Sequence, residues 1–146
     1  MSAVVDKYMP LSEGETVVQE MEGNAYNFGS NVIARLLGVI DRILSVITGT
    51  TRKVHIVVTD RRIIILEISK VFWFIDGSVL ARSFSARSVR SAGYRLARSL
   101  LIFKSHYLDF DNGTVQYAIK SRTGQGEVVS MISAITTLAD PVRSTK

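Results

Sequence analysis

VHIVVTDRRIIILEIS, Val54 to Ser69, is the stretch on which the fold turns. Two runs rich in Val and Ile flank Asp60, Arg61 and Arg62. β-Branched side chains crowd the preceding turn of a helix but lie easily on a pleated surface. The runs therefore predict two strands, Val54–Thr59 and Ile63–Ser69, joined by a short hairpin loop. Upstream, Glu15 to Phe28 carries enough Val, Met, Tyr and Phe for a strand, with Gly23 marking a bulge or a close backbone contact.

Downstream the strand pattern continues. Val71–Gly77 is aromatic and predicts a segment ending in a turn, while Leu80–Arg87 alternates Leu80, Arg82, Phe84 and Ala86 with smaller residues. Ser88–Ala97 reads as a further strand with Gly93 as its weak point. SLLIFKSHYLDF runs into Asp111, Asn112 and Gly113 and then TVQYAIKSR, a hairpin whose Asn-Gly pair suits the positive φ angles of a type I′ turn. After Thr123–Gly126, apolar residues recur at Val128, Met131, Ile132, Ile135, Leu138 and Ala139, the spacing of a helix with one buried face that Asp140 and Pro141 stop.

The expected architecture is mainly β: about seven antiparallel strands in a curled sheet or barrel, plugged at one end by the C-terminal helix. Its parts are a leader at 1–12, one domain at 13–140 with an inserted helix at 30–48 and a C-terminal helix at 127–139, and a tail at 141–146. A chain of 146 residues suffices for a single core. Its mean hydropathy of +0.21 is high for so small a domain, which predicts apolar surface facing a partner or a bilayer. There is no cysteine, so disulfides, thiolate metal sites and thiol nucleophiles are excluded. MSAVVDKYMPLSEGE has neither a basic n-region nor an apolar h-region, and a cytoplasmic location is expected.

The net charge of +5 is unevenly spread. Asp6, Glu13, Glu15, Glu20 and Glu22 face only Lys7 near the start. From Gly77 to Leu108 there is no acid, while Arg82, Arg87, Arg90, Arg95, Arg98 and Lys104 all occur. Such a span suits anionic lipid, nucleic acid, an acidic protein or the chain's own acidic start. The Arg positions do not share one parity, so strands divide them between faces, which disfavours a single nucleic-acid track.

Motifs for chemistry are sparse. His55 and His106 stand on separate strands without a Cys or a spaced partner, so neither a metal site nor a nucleophile-base pair is expected. Asp109–Thr114, DFDNGT, lacks the remaining ligands of a calcium loop and reads as a turn. Thr123–Gly126 has no GK[ST] ending, and no GxSxG elbow occurs. The expectation is a protein that is not an enzyme, with no cofactor and no small-molecule substrate inferred.

LSEGETVV near the start, VHIVVTDRRIIILE, LDFDNGTVQYAIK and the closing helix together resemble the bacterial pleckstrin-homology-like family over Glu13 to Asp140. TDRR, Thr59 to Arg62, is the most specific part. The resemblance implies a seven-stranded, sharply bent sheet capped by a C-terminal helix, in a family whose members are generally non-catalytic and often self-assembling. The helix after the first strand departs from the minimal domain. It stands where inositol-lipid-binding relatives carry a paired-basic motif, so that recognition does not carry over.

That helix, in SNVIARLLGVIDRILSVITGT, has Asn31, Arg35, Gly38, Asp41, Arg42, Ser45 and Thr48 on one narrow polar stripe. A helix of about 17 residues is roughly 26 Å long, against a hydrocarbon core of about 30 Å. Arg35, Asp41 and Arg42 would each cost about 2.5 to 3.5 kcal/mol near its middle, so a membrane span is disfavoured. Three readings stay open: packing on its own sheet, packing on copies of the chain, and lying in a bilayer surface. The expected contact surface is Val32, Ile33, Leu36, Leu37, Ile40, Ile43, Leu44 and Ile47, with Trp73 as aromatic anchor and Arg82, Arg87 and Arg90 meeting an anionic ligand. The expected partner is a second copy of the chain, with an anionic lipid surface beside it; the alternative is a soluble binder of acidic protein or nucleic acid.

Overall fold

The computed structural model describes residues 3–26, 51–71, 75–99 and 103–140. Its strands are β1 (Val17–Tyr26), β2 (Thr51–Thr59), β3 (Ile63–Val71), β4 (Ile75–Phe84), β5 (Ser91–Ser99), β6 (Phe103–Asp111) and β7 (Gln116–Ser121). Helix α1 (Ala3–Tyr8) precedes them, α2 (Gln125–Ala139) follows, and a 3-10 turn occupies Ala86–Ser88. All strands pair antiparallel in one sheet of order β4-β3-β2-β1-β7-β6-β5. The edges β4 and β5 do not pair with each other, so the sheet is unclosed.

It is nevertheless strongly curled. Strands β4 and β6 stand five places apart, about 24 Å on a flat sheet with a strand spacing of about 4.8 Å. The rings of Phe84 on β4 and Phe110 on β6 are only 6.4 Å apart, which a flat sheet forbids. Met21, Ile56, Ile65, Leu108, Phe110 and Ile119 fill the interior of this curl. Val128, Met131 and Ile135, one face of α2, close it. Burying such a side chain contributes about 1.5–3 kcal/mol, so this face is what holds the helix to the sheet.

Strands β2 and β3 show no apolar-polar alternation because both of their faces are covered. Val54, Ile56 and Val58 face the interior, whereas Val57 and Ile64 pack under Val5 of α1 on the outer face. Met9, Leu11 and Val17 border that second cluster. The first twelve residues, read from sequence as a polar leader, thus contribute a helix that caps the outside of the sheet.

Several boundaries differ from the sequence reading. Asp76 and Gly77 do not end a segment: they lie inside β4, at a bulge where the register shifts between Ile68 and Lys70. Ser69 supports the bulge, since its Oγ accepts the Ser78 amide at 2.8 Å. The strand expected over Leu80–Arg87 stops at Phe84, because Ala86 turns into the core within the 3-10 turn. The C-terminal helix begins two residues before the expected Glu127. The inserted helix expected at 30–48 lies outside the described residues, as does Trp73.

Candidate functional site

Polar side chains gather at three places on this frame, and the first is the TDRR turn between β2 and β3. Glu15 lies next to it with a side chain only 1% exposed. Four donors meet its carboxylate: Arg62 Nε and Nη2, each at 2.9 Å, Thr59 Oγ1 at 2.7 Å and the Ser12 amide at 2.8 Å. The forked guanidinium matches the carboxylate geometry, and charge-assisted bonds of this kind are the strong ones. Arg62 beside it, helped by Ser12 and Thr59, outweighs the cost of burial and holds the Glu15 carboxyl down at about 2. Arg62 also donates to the Pro10 carbonyl at 3.1 Å, and Asp60 exchanges two bonds of 3.0 Å with the Thr16 backbone. TDRR therefore anchors the leader to the sheet, and three of its four side chains are used in doing so.

The second place is the interior of the curl. Tyr117 on β7 donates to Glu67 on β3 at 3.1 Å. Burial and the Glu67 charge push the Tyr117 hydroxyl up to about 12, against an opposing pull from Arg82. Arg82 is half-buried on the core-side face of β4, opposite Ile65. Arg87 is exposed in the 3-10 turn, and the Arg90 guanidinium lies over Gly113 in the β6–β7 turn. The three arginines read together from sequence thus stand on a strand, a turn and a loop, in different surroundings.

The third place is the outer face of β5, β6 and β7. Arg95 holds Asp109 through two bonds of 2.8 Å and lies 5.0 Å from the Tyr107 ring centre. A shallow pocket of about 210 Å3 opens here, lined by Ser91, Arg95, Asp109, Asp111, Gln116 and neighbours. Further along the same face Glu22 meets Arg122 at 2.7 Å and Lys53 at 3.7 Å. His55, buried opposite Leu66, is held below its ordinary value mainly by burial, against the pull of Glu22 and Glu20. On the opposite, core-side face of β5 and β6, His106 stacks on Tyr94, whose hydroxyl sits 2.8 Å from Nδ1.

In the DFDNGT turn the acids serve the turn itself: Asp111 Oδ1 accepts the Gly113 amide at 2.6 Å, and Asp109 is taken by Arg95. Among the described residues no group of three or more His, Asp or Glu is placed to hold a metal ion. Among them, too, no helix is long and apolar enough to cross a membrane. The expected contact residues Val32, Ile33, Leu36, Leu37, Ile40, Ile43, Leu44 and Ile47 lie outside the described residues. Sequence reasoning missed the pairs Glu15–Arg62, Arg95–Asp109 and Glu67–Tyr117. Only TDRR carried any signal of them, since a basic pair in a tight turn asks for a carboxylate. Comparison with family models, with curated proteins and with solved structures gave no match.

Proposed function

We propose that the chain is a non-enzymatic, pleckstrin-homology-like interaction module that self-associates and works at the cytoplasmic face of a membrane. The observation that supports this reading is a single curled sheet of seven antiparallel strands with a C-terminal helix closing the curl, since the resemblance implies a seven-stranded, sharply bent sheet capped by a C-terminal helix. Within TDRR, the most specific part of the resemblance, Thr59 and Arg62 bind Glu15 and tie the leader to the sheet, a role in the fold. Self-association belongs in this reading to the apolar positions from Val32 to Ile47, with Trp73 as the expected aromatic anchor; these lie outside the described residues. Arg82, Arg87 and Arg90 add positive charge that attracts acidic lipid over a Debye length of about 8 Å at physiological salt.

Light scattering of the wild type beside Leu37→Asp and Ile40→Asp tests the self-association. The expected result is a wild-type oligomer and folded, monomeric variants. Variants that keep the wild-type mass, or a wild type that is monomeric at every concentration, would overturn it.

A further inference from the structure

Strand β5 stands at one end of the sheet order, and among the described residues it pairs with β6 alone. Its register with β6 runs without a shift from Ser91 opposite Asp111 to Ser99 opposite Phe103, and the strand contains no proline. A long, regular edge with unpaired N–H and C=O groups is a template for a further strand, and folds blunt such edges with prolines or bulges. The other edge strand, β4, has a bulge of this kind beside Ser69. β5 has neither device.

The side chains along this edge are sorted. Tyr94, Leu96 and Arg98 lie on the core-side face, opposite Leu108, His106 and Lys104. Leu108 is fully buried, yet Tyr94 remains 36% exposed and Leu96 39%. Arg98 and Lys104 are both exposed, and among the described residues neither is ion-paired. Two apolar side chains are thus followed on one face by two cations. The chain's own acids nearby are engaged, Asp109 by Arg95 and Asp111 by the Gly113 amide and Gln116. Glu15 and Glu22, from the acidic start, are likewise taken by Arg62 and by Lys53 and Arg122.

We infer that the free edge of β5 takes an extended, acidic peptide segment of another protein as an eighth strand, antiparallel to β5. The inference rests on the interaction-module part of the reading above, not on self-association or membrane contact. Backbone bonds along the edge supply affinity, and alternate side chains supply selectivity. Apolar side chains of the segment cover Tyr94 and Leu96, and an acid two positions further on the same face meets Arg98 and Lys104. A second copy of the chain is a poor occupant, because its β5 carries Arg95 and Arg98 with no acid and its β4 is bulged. Lipid or nucleic acid would use the cations and leave the backbone edge unpaired.

The test is amide exchange of the full chain, followed by NMR, with and without the acetylated peptide Glu-Glu-Thr-Val-Thr-Val-Thr. Alternate amides of β5, those turned away from β6, should exchange more slowly with peptide bound, while the amides of β4 stay unchanged. Arg98→Ser and Lys104→Ser should each weaken binding about threefold, with circular dichroism unchanged because both side chains are exposed. The same peptide with lysine in place of glutamate should not bind. Equal binding of a peptide whose valines are replaced by proline would overturn the inference, since charge alone would then account for it. Protection of β5 that grows with the concentration of the chain alone would also overturn it, giving this edge to a second copy and leaving self-association standing. An acidic peptide that leaves β5 exchange unchanged would overturn it whatever mass light scattering gives.

Discussion

Arg62 commits its guanidinium to Glu15 and Pro10, residues about 50 positions away in the chain, and is the counter-charge beside the Thr59 hydroxyl that also reaches Glu15. Removing it leaves a carboxylate buried without its counter-charge, the costly half of a broken ion pair. Arg62→Ala should therefore lower stability by about 3 kcal/mol, and Arg62→Lys by less, since an ammonium keeps the charge and loses the fork. Urea denaturation measures both. The pH dependence follows from the same site. Glu15 is held at about 2, below its ordinary 4.5, so its stabilisation is complete above 4.5 and is lost as pH falls through 2. His55 is held below its ordinary 6.5 by burial, so the fold favours the neutral ring and a smaller loss begins as pH falls beneath 6.5. Thermal melts taken from neutral pH down into strong acid should show the two declines in that order, with the earlier one absent in His55→Gln.

At the scale of elements, two hairpins close by the same device. In the β2–β3 turn the Thr59 amide donates to the Arg62 carbonyl, while Thr59 Oγ1 accepts the Arg62 and Arg61 amides at 2.9 and 3.2 Å. In the β6–β7 turn the Asn112 amide donates to the Val115 carbonyl, while Asn112 Oδ1 accepts the Val115 and Thr114 amides at 2.9 and 3.0 Å. A side-chain oxygen stands in each case where a backbone carbonyl closes an ordinary two-residue turn. The consequence for register is concrete. A type I′ turn centred on Asn112 and Gly113 is the sequence expectation, but Asp111 pairs with Gln116, and the turn is centred one residue later on Gly113 and Thr114. Gly113 supplies a φ of +83° there. Asn112→Ala removes the acceptor of two amides and should cost about 1–2 kcal/mol, whereas Asn112→Asp, which keeps an acceptor, should cost less; differential scanning calorimetry separates the two.

For the whole molecule, β1 is the strand that joins the halves, pairing with β2 over Val17–Asn24 and with β7 over Gly23–Tyr26. Gly23 belongs to both ladders. A Cβ on it would strike the Lys120 carbonyl oxygen and lie 2.7 Å from Ile119 Cγ2, inside contact distance of the central partner strand. Gly23→Ala should destabilise by about 3 kcal/mol through overpacking. Its mark should be a separation of the β7–β6–β5 half, seen as faster amide exchange in Ala118–Ser121 than in β2 and β3. Because Gly23 pairs with Ser121 across about two thirds of the chain, the seam has a high loop-closure cost, and refolding on the millisecond-to-second scale is expected for such a topology.

The strands around Val54–Ser69, a hairpin reversal near Gly113, though not its register, and the one-faced helix ending at Ala139 were legible in the sequence because each rests on local chemistry. β-Branched side chains, an Asn-Gly pair and an apolar spacing of three and four act within a few residues. What only the tertiary structure decided are relations across distance. AVVDKY is too short to declare itself a helix from its own hydrogen bonds, and becomes one where Val5 is buried on Val57 and Ile64. Asp76-Gly77 has the composition of a turn, yet β3 alongside holds it in a bulged strand. Glu15 reads as a surface acid until the curl of the sheet brings Arg62 to it. Propensity acts over a few residues, whereas burial and charge pairing depend on which strands the fold brings together.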